Sequence, residues 1–154
     1  MKITFFLAVV AIAVPWSTYS QPLTTLTPDQ LNTEFFNTHK QKGSSASLDY
    51  LASTSTWINK NDWSGLKTKL ANTLAQFGKY TGYELVSKKT VGKNYVQYFF
   101  LANYERQPVR FFITYYRPTA KWQMNMFEYD FDLGTGLKEA ASAYRLQENS
   151  PDKK

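Results

Sequence analysis

The chain of 154 residues contains no cysteine and a single histidine, His39. Without cysteine there is no disulfide framework, and one imidazole cannot supply the three or four nitrogen or sulfur ligands of an ordinary zinc site. Like charges never gather into runs of five or six. The formal net charge of +6 is carried by scattered single residues such as Lys40, Lys60, Lys79, Arg106 and Lys121, a pattern of a solvated, mildly basic surface and not of a nucleic-acid interface. No G-x-S-x-G elbow occurs, and Ser64-Gly65 opens a helix without the strand-turn-helix context that a nucleophilic serine requires.

A membrane-spanning run is missing as well. The apolar stretch Ile3–Val14 is about 12 residues long, short of the ~20 that a helix needs to cross a bilayer. Lys2 precedes it, and Pro15 and the small residues Ser17, Thr18 and Ser20 follow. This is the layout of a signal peptide, with Thr18 and Ser20 at the −3 and −1 positions and Gln21 as the mature N-terminus. Export without any cysteine points to a bacterial periplasm or to secretion, with no integral membrane segment left after cleavage and no cysteine to carry a lipid anchor. The expected layout is a signal peptide over 1–20, one domain over 21–134, and a C-terminal extension over 135–154. In that extension Leu137, Ala140, Ala141 and Tyr144 fall on one side of a short helix over 137–147, and 148–154 reads as a tail.

Within the domain the hydrophobic pattern changes once. Up to Gly78 it is helical; from Tyr80 to Leu133 it is strand-like. Thr27-Pro28-Asp29-Gln30 is a capping box that starts a first helix, with Leu31, Phe35 and His39 on one face and Gly43 as its stop. A short second helix is predicted over 46–53 behind Ser45, followed by a loop anchored by Trp57 and Ile58. Trp63, Leu66, Leu70, Leu74 and Phe77 set a third helix, capped by Asn61 or Asp62 and closed by Gly78. Four strands are expected over 83–90, 94–106, 109–117 and 122–133, divided by turns at Gly92, Gln107-Pro108 and Pro118. Helices followed by hairpin-linked strands define an α+β domain, the helices packed on one face of a curved four-stranded antiparallel meander.

The strand parity assigns the faces. Tyr98, Phe100, Ala102 and Tyr104 align with Val109, Phe111, Ile113 and Tyr115, then with Trp122, Met124 and Met126, and Tyr83 and Leu85 join them: an apolar inner face. The outer face mixes Tyr95, Gln97, Asn103 and Thr114 with Phe99, Leu101, Arg110, Phe112 and Tyr116. A cluster of this kind marks a contact surface. In the last strand the apolar residues switch from even positions to Phe127, Tyr129, Phe131 and Leu133. A β-bulge near Met126-Phe127 is expected, burying both and turning Glu128, Asp130 and Asp132 outward.

Several of these residues carry a family resemblance: Gly78 with Gly82-Tyr83-Glu84, the Tyr104…Pro108 hairpin, Tyr116-Arg117-Pro118, and Trp122 leading into Phe127…Phe131-Asp132. Over roughly 60–133 the chain resembles small secreted bacterial proteins of unknown function with a nuclear-transport-factor-2-like (cystatin-like) α+β roll. The resemblance implies a fold and export; it carries no catalytic site.

The chemistry-bearing residues point the same way. His39 reads as a helix-packing side chain or as a group at the helix's negative end. Isomerase chemistry in the interior would need a carboxylate base there, and the acids are assigned outward. Glu128, Asp130 and Asp132 form a strand ladder rather than a calcium cage, with cross-strand pairing to Arg110 or another basic residue expected. The sequence therefore predicts a non-catalytic binding or accessory protein with no cofactor, no catalytic residue and no metal ligand. It would contact an unknown protein partner or a second copy through Phe99, Leu101, Arg110, Phe112 and Tyr116. The competing expectation is a small hydrophobic-ligand binder, or isomerase-like enzyme, using a pocket lined by Tyr98, Tyr115, Trp122, Met124 and Met126. The export assignment has a direct check: the intact mass of the chain recovered from expressing cells is expected to begin at Gln21, and a species retaining Met1 would refute it.

Overall fold

The computed structural model describes residues 26–135; the expected signal segment and the helix over 137–147 lie outside the described residues. The order is α1 (Pro28–Ser53), α2 (Lys60–Gln76), β1 (Tyr80–Val91), β2 (Tyr95–Tyr104), β3 (Val109–Tyr116) and β4 (Gln123–Asp130). The strands form one antiparallel sheet in the order β1-β2-β3-β4. The α+β meander read from the sequence is the fold observed, an open sheet with both helices on one face.

α1 begins at its capping box: Gln30 N donates to Thr27 Oγ1 (3.3 Å), and Thr27 N donates to Gln30 Oε1 (2.9 Å). Gly43, at φ +86° and ψ 174°, breaks the helical path. Helical geometry resumes directly after it, ahead of the expected cap at Ser45, so the two expected helices are the two halves of α1 on either side of the Gly43 kink. α2 starts earlier than expected. Its cap is Asn59, whose Oδ1 accepts from Asn61 N (3.0 Å), so Asn61 and Asp62 belong to the first turn. Trp57, expected as an anchor, is 57% exposed; Ile58 alone packs on the core.

The β2–β3 register is regular. Tyr98 faces Ile113, Phe100 faces Phe111 and Ala102 faces Val109, and burial alternates residue by residue along β2. These side chains meet Leu31, Phe35, Phe36, Leu48, Leu51, Leu70 and Leu74 in one core. The outer two strands depart from regularity. β1 carries two extra residues, Thr81 and Val86, in its pairing with β2. The second moves the inner set from Tyr83 and Leu85 to Lys88 and Thr90. Leu85 and Tyr83, although on the inner register, are both exposed on this edge strand, Tyr83 with one ring face stacked on Phe36 (3.7 Å, 7°). Bulges and the pair Lys88-Lys89 are devices that blunt an open sheet edge.

In β4 the shift falls at Asn125, earlier than the expected Met126-Phe127 step. Tyr115 pairs with Met124, and Thr114 pairs with Met126. The single extra residue keeps Met124 and Phe127 on the core side, as expected, but places Met126 on the register of the outer face, where it is half-buried. The expectation that Met126 is buried beside Phe127 is thereby corrected. β4 also stops at Asp130 and not at Leu133, because Asp132 caps a helical turn: Thr135 N donates to Asp132 Oδ1 (3.0 Å), and Leu133–Thr135 are helical.

Two glycines separate backbone freedom from helix cost. Gly78 follows α2 at φ +84°, and a Cβ there would lie 2.5 Å from Glu105 Oε2 and 3.1 Å from Glu105 Cβ. Gly65 lies inside α2 with open space around it. Gly78→Ala is expected to destabilise the fold by about 1–3 kcal/mol, whereas Gly65→Ala is expected to stabilise it by about 0.5–1 kcal/mol. Urea unfolding of the two variants checks the opposite signs.

Candidate functional sites on the sheet and around Trp63

His39 is buried between α1 and β2. Ser47 Oγ donates to Ser44 O (2.8 Å), so it accepts from His39 Nδ1–H (2.9 Å). That assigns the proton to Nδ1 and leaves Nε2 to accept from the Tyr104 hydroxyl (2.6 Å). Both ring nitrogens are thus committed in a directed chain, Tyr104 to His39 to Ser47 to Ser44. Burial disfavours the imidazolium and lowers the His39 pKa to about 4. The neutral ring packs edge-on to Tyr80 (4.6 Å). Of the two expected roles, packing is the one observed; a group at the helix's negative end would have been charged. Burial, with Tyr80 nearby, also pushes the Tyr104 hydroxyl well above its ordinary range.

A second network ties the start of α1 to the sheet. Tyr98 Oη donates to Asp29 Oδ1 (2.9 Å), and Lys88 Nζ donates to both Asp29 oxygens (3.0 and 2.7 Å). Burial raises the Asp29 pKa, but the hydrogen bonds from Lys88 and Tyr98 and the ammonium charge outweigh it, and the net direction is down. Burial and the Asp29 charge push Tyr98 up to about 12, against the pull of Lys88. Tyr115 Oη donates to Asn32 Oδ1 (2.8 Å).

The residues expected to line an interior pocket therefore divide. Tyr98, Tyr115 and Met124 are 0–1% exposed and pack in the core. Trp122 precedes β4, half-buried, with the Arg117 guanidinium 4.8 Å over its ring. With Tyr98 it borders a cleft of about 160 Å³ at the start of α1. Met126, half-buried and paired with Thr114, joins Met124 in lining a groove between α2 and β4.

The expected contact residues do share one face. Phe99 and Phe112 stack across β2 and β3 (4.7 Å, 16°). Leu101 pairs with Arg110, and Tyr116 is 39% exposed beside Tyr95. Arg110 faces Asp130, forms an ion pair with it, and donates from Nη2 to Asp132 O (2.6 Å). Asp130 and Asp132 are thus tied to Arg110 and to a helix cap; bonds from Thr135 hold the Asp132 carboxyl below its ordinary range. Both α1 and α2 pack on the opposite face.

The sequence did not single out the space beside Trp63. A groove of about 400 Å³ lies between the end of α1 and the start of α2, lined among others by Asp49, Ser53, Ser55, Thr56, Trp63 and Lys67. A second, of about 380 Å³, runs between α2 and β4 and shares Ile58 and Trp63 with the first. Among the described residues there is no group of three or more His, Asp or Glu able to hold a metal ion, and no helix long and apolar enough to cross a membrane. No protein-family model matches the chain, and no curated protein or solved structure matches it.

The neutral His39 makes stability depend on pH. Between about 4 and 6.5 the unfolded chain binds the proton that the folded ring rejects, so stability is full above 6.5 and falls as pH drops through this window, by about 3 kcal/mol at its end. His39→Gln is expected to flatten that slope; urea midpoints measured from pH 4 to 7 report it, and an unchanged slope would contradict the assignment.

Proposed function

We propose that this is a non-catalytic binding or accessory protein, exported to the periplasm or beyond, that contacts a partner protein or a second copy of itself through the outer face of the sheet. The observation that carries the reading is the Phe99–Phe112 stack, set with Leu101 and Tyr116 on the face opposite both helices. An apolar cluster of this kind rimmed by Arg110, Gln97 and Asn103 has the make-up of an interface core with a polar border. Two further features support a non-catalytic role. Both nitrogens of His39 are used in structural bonds, and Asp29, Asp130 and Asp132 are engaged in packing, pairing and capping contacts. We also propose membership of the nuclear-transport-factor-2-like roll class, to which helices laid on one face of an antiparallel meander conform.

Native mass spectrometry of the mature chain purified from the periplasm tests the proposal. The expected result is a dimer or a retained partner, with Phe112→Asp and Tyr116→Asp each weakening the complex at least about tenfold, about 1.4 kcal/mol. Tyr116, the more exposed of the two, guards against a folding defect in the other. A monomer at every concentration that brings down no partner, or a complex indifferent to both substitutions, would overturn it.

A further inference from the structure

We propose that the groove between the end of α1 and the start of α2 binds a small saccharide, independently of the sheet face. Its lining combines an apolar floor, Ala52, Ile58 and Trp63, with the hydroxyls of Ser53, Ser55, Thr56 and Ser64. Its volume of about 400 Å³ lies within the ordinary range of small-molecule sites.

Two residues of this groove carry a polar atom without a partner. Ser55 Oγ and Trp63 Nε1 are both buried, and neither has a hydrogen-bond partner. An indole N–H is a donor only, while a hydroxyl both donates and accepts. Leaving such groups unmade costs about 1–3 kcal/mol each; both atoms are closed off from solvent, so a ligand gains this by drawing the Ser55 and Trp63 side chains toward the groove. Beside them the Asp49 carboxylate and Lys67 ammonium are paired at 2.7 Å, presenting an acceptor and a donor side by side. A sugar hydroxyl, which accepts from one group and donates to another, matches that juxtaposition. The C–H face of a pyranose ring matches the apolar floor. A simple anion is the poorer match, since Asp49 would repel it and Lys67 is already neutralised. A fatty-acid carboxylate could accept from Ser55 and Trp63 but would set its charge beside Asp49 and leave the acceptor side of the pair unused.

The test follows the indole N–H resonance of Trp63 in the ¹⁵N-labelled mature chain. Glucose, N-acetylglucosamine, maltose and cellobiose are each added to ~10 mM, with sodium hexanoate as the apolar-acid control, a range that detects even Kd values of about 1 mM. At least one saccharide is expected to shift the resonance saturably, and hexanoate is expected to leave it in place. Ser55→Ala and Lys67→Met are expected to weaken that binding about tenfold with the melting temperature held, a change that a purely structural role for Ser55 would not produce. The proposal fails if none of the four sugars moves the Trp63 signal, if hexanoate alone moves it, or if the saccharide shift is the same in both variants.

Discussion

The bond between His39 and Ser47 ties together the two halves of α1. The two residues stand on either side of the Gly43 kink, and the imidazole that joins them is itself held by Tyr104 of β2. One ring therefore fixes the angle between the halves of α1 and the position of both against the sheet. The arrangement works only because the ring is neutral: a proton on Nε2 would oppose the Tyr104 donor in a site too dry to solvate the charge. Close by, the turn after α2 is pinned to the β2–β3 hairpin. Glu105 Oε2 accepts from Lys79 N (3.0 Å), Arg106 N donates to Phe77 O (3.0 Å), and Gly78 provides the left-handed backbone that lets them meet.

Much of the architecture could be read directly. The capping box at Thr27 specified the start of α1 because each of its side chains has one obvious partner. The β2–β3 pairing was legible because the turn at Gln107-Pro108 limits where β3 can begin, although β3 alternates in burial only as far as Ile113. The start of α2 was not, since Asn59, Asn61 and Asp62 are all good caps within one turn and the choice depends on where the incoming loop can reach. The bulge in β4 was visible as a change of phase, but the pattern alone could not say whether Asn125 or Met126 was the extra residue. That choice sends Met126 to one face or the other.

The sites differ in legibility for a related reason. The sheet face is local and periodic, so Phe99, Leu101, Arg110, Phe112 and Tyr116 could be grouped by parity alone. The Trp63 groove is assembled from the last turn of α1, the loop after it and alternate turns of α2. The helical period links Trp63 to Lys67 but joins neither to Asp49 or Ser55. The only sequence signal was a run of hydroxyls, Ser53-Thr54-Ser55-Thr56, placed beside Trp57, and it read naturally as a frayed helix end. That the Ser55 oxygen and the Trp63 nitrogen lack partners is a property of three-dimensional packing, and it has no counterpart in composition.

The two extra residues of β1 have an arithmetic effect. Each bulge reverses which face the following side chains address, and two reversals cancel. Tyr80 and Thr90, even-numbered residues at either end of the strand, pair with Tyr104 and Val96 on the same inner side, while only the stretch between the bulges is out of step. To a reader counting in twos from either end, β1 looks like an uninterrupted strand. The inverted middle is where Tyr83 reaches Phe36, and the restored parity beyond Val86 is what brings Lys88 to Asp29. A paired insertion of this kind lets one edge strand offer an aromatic to the core and a cation to a helix start, with the facing restored and the register displaced by two residues.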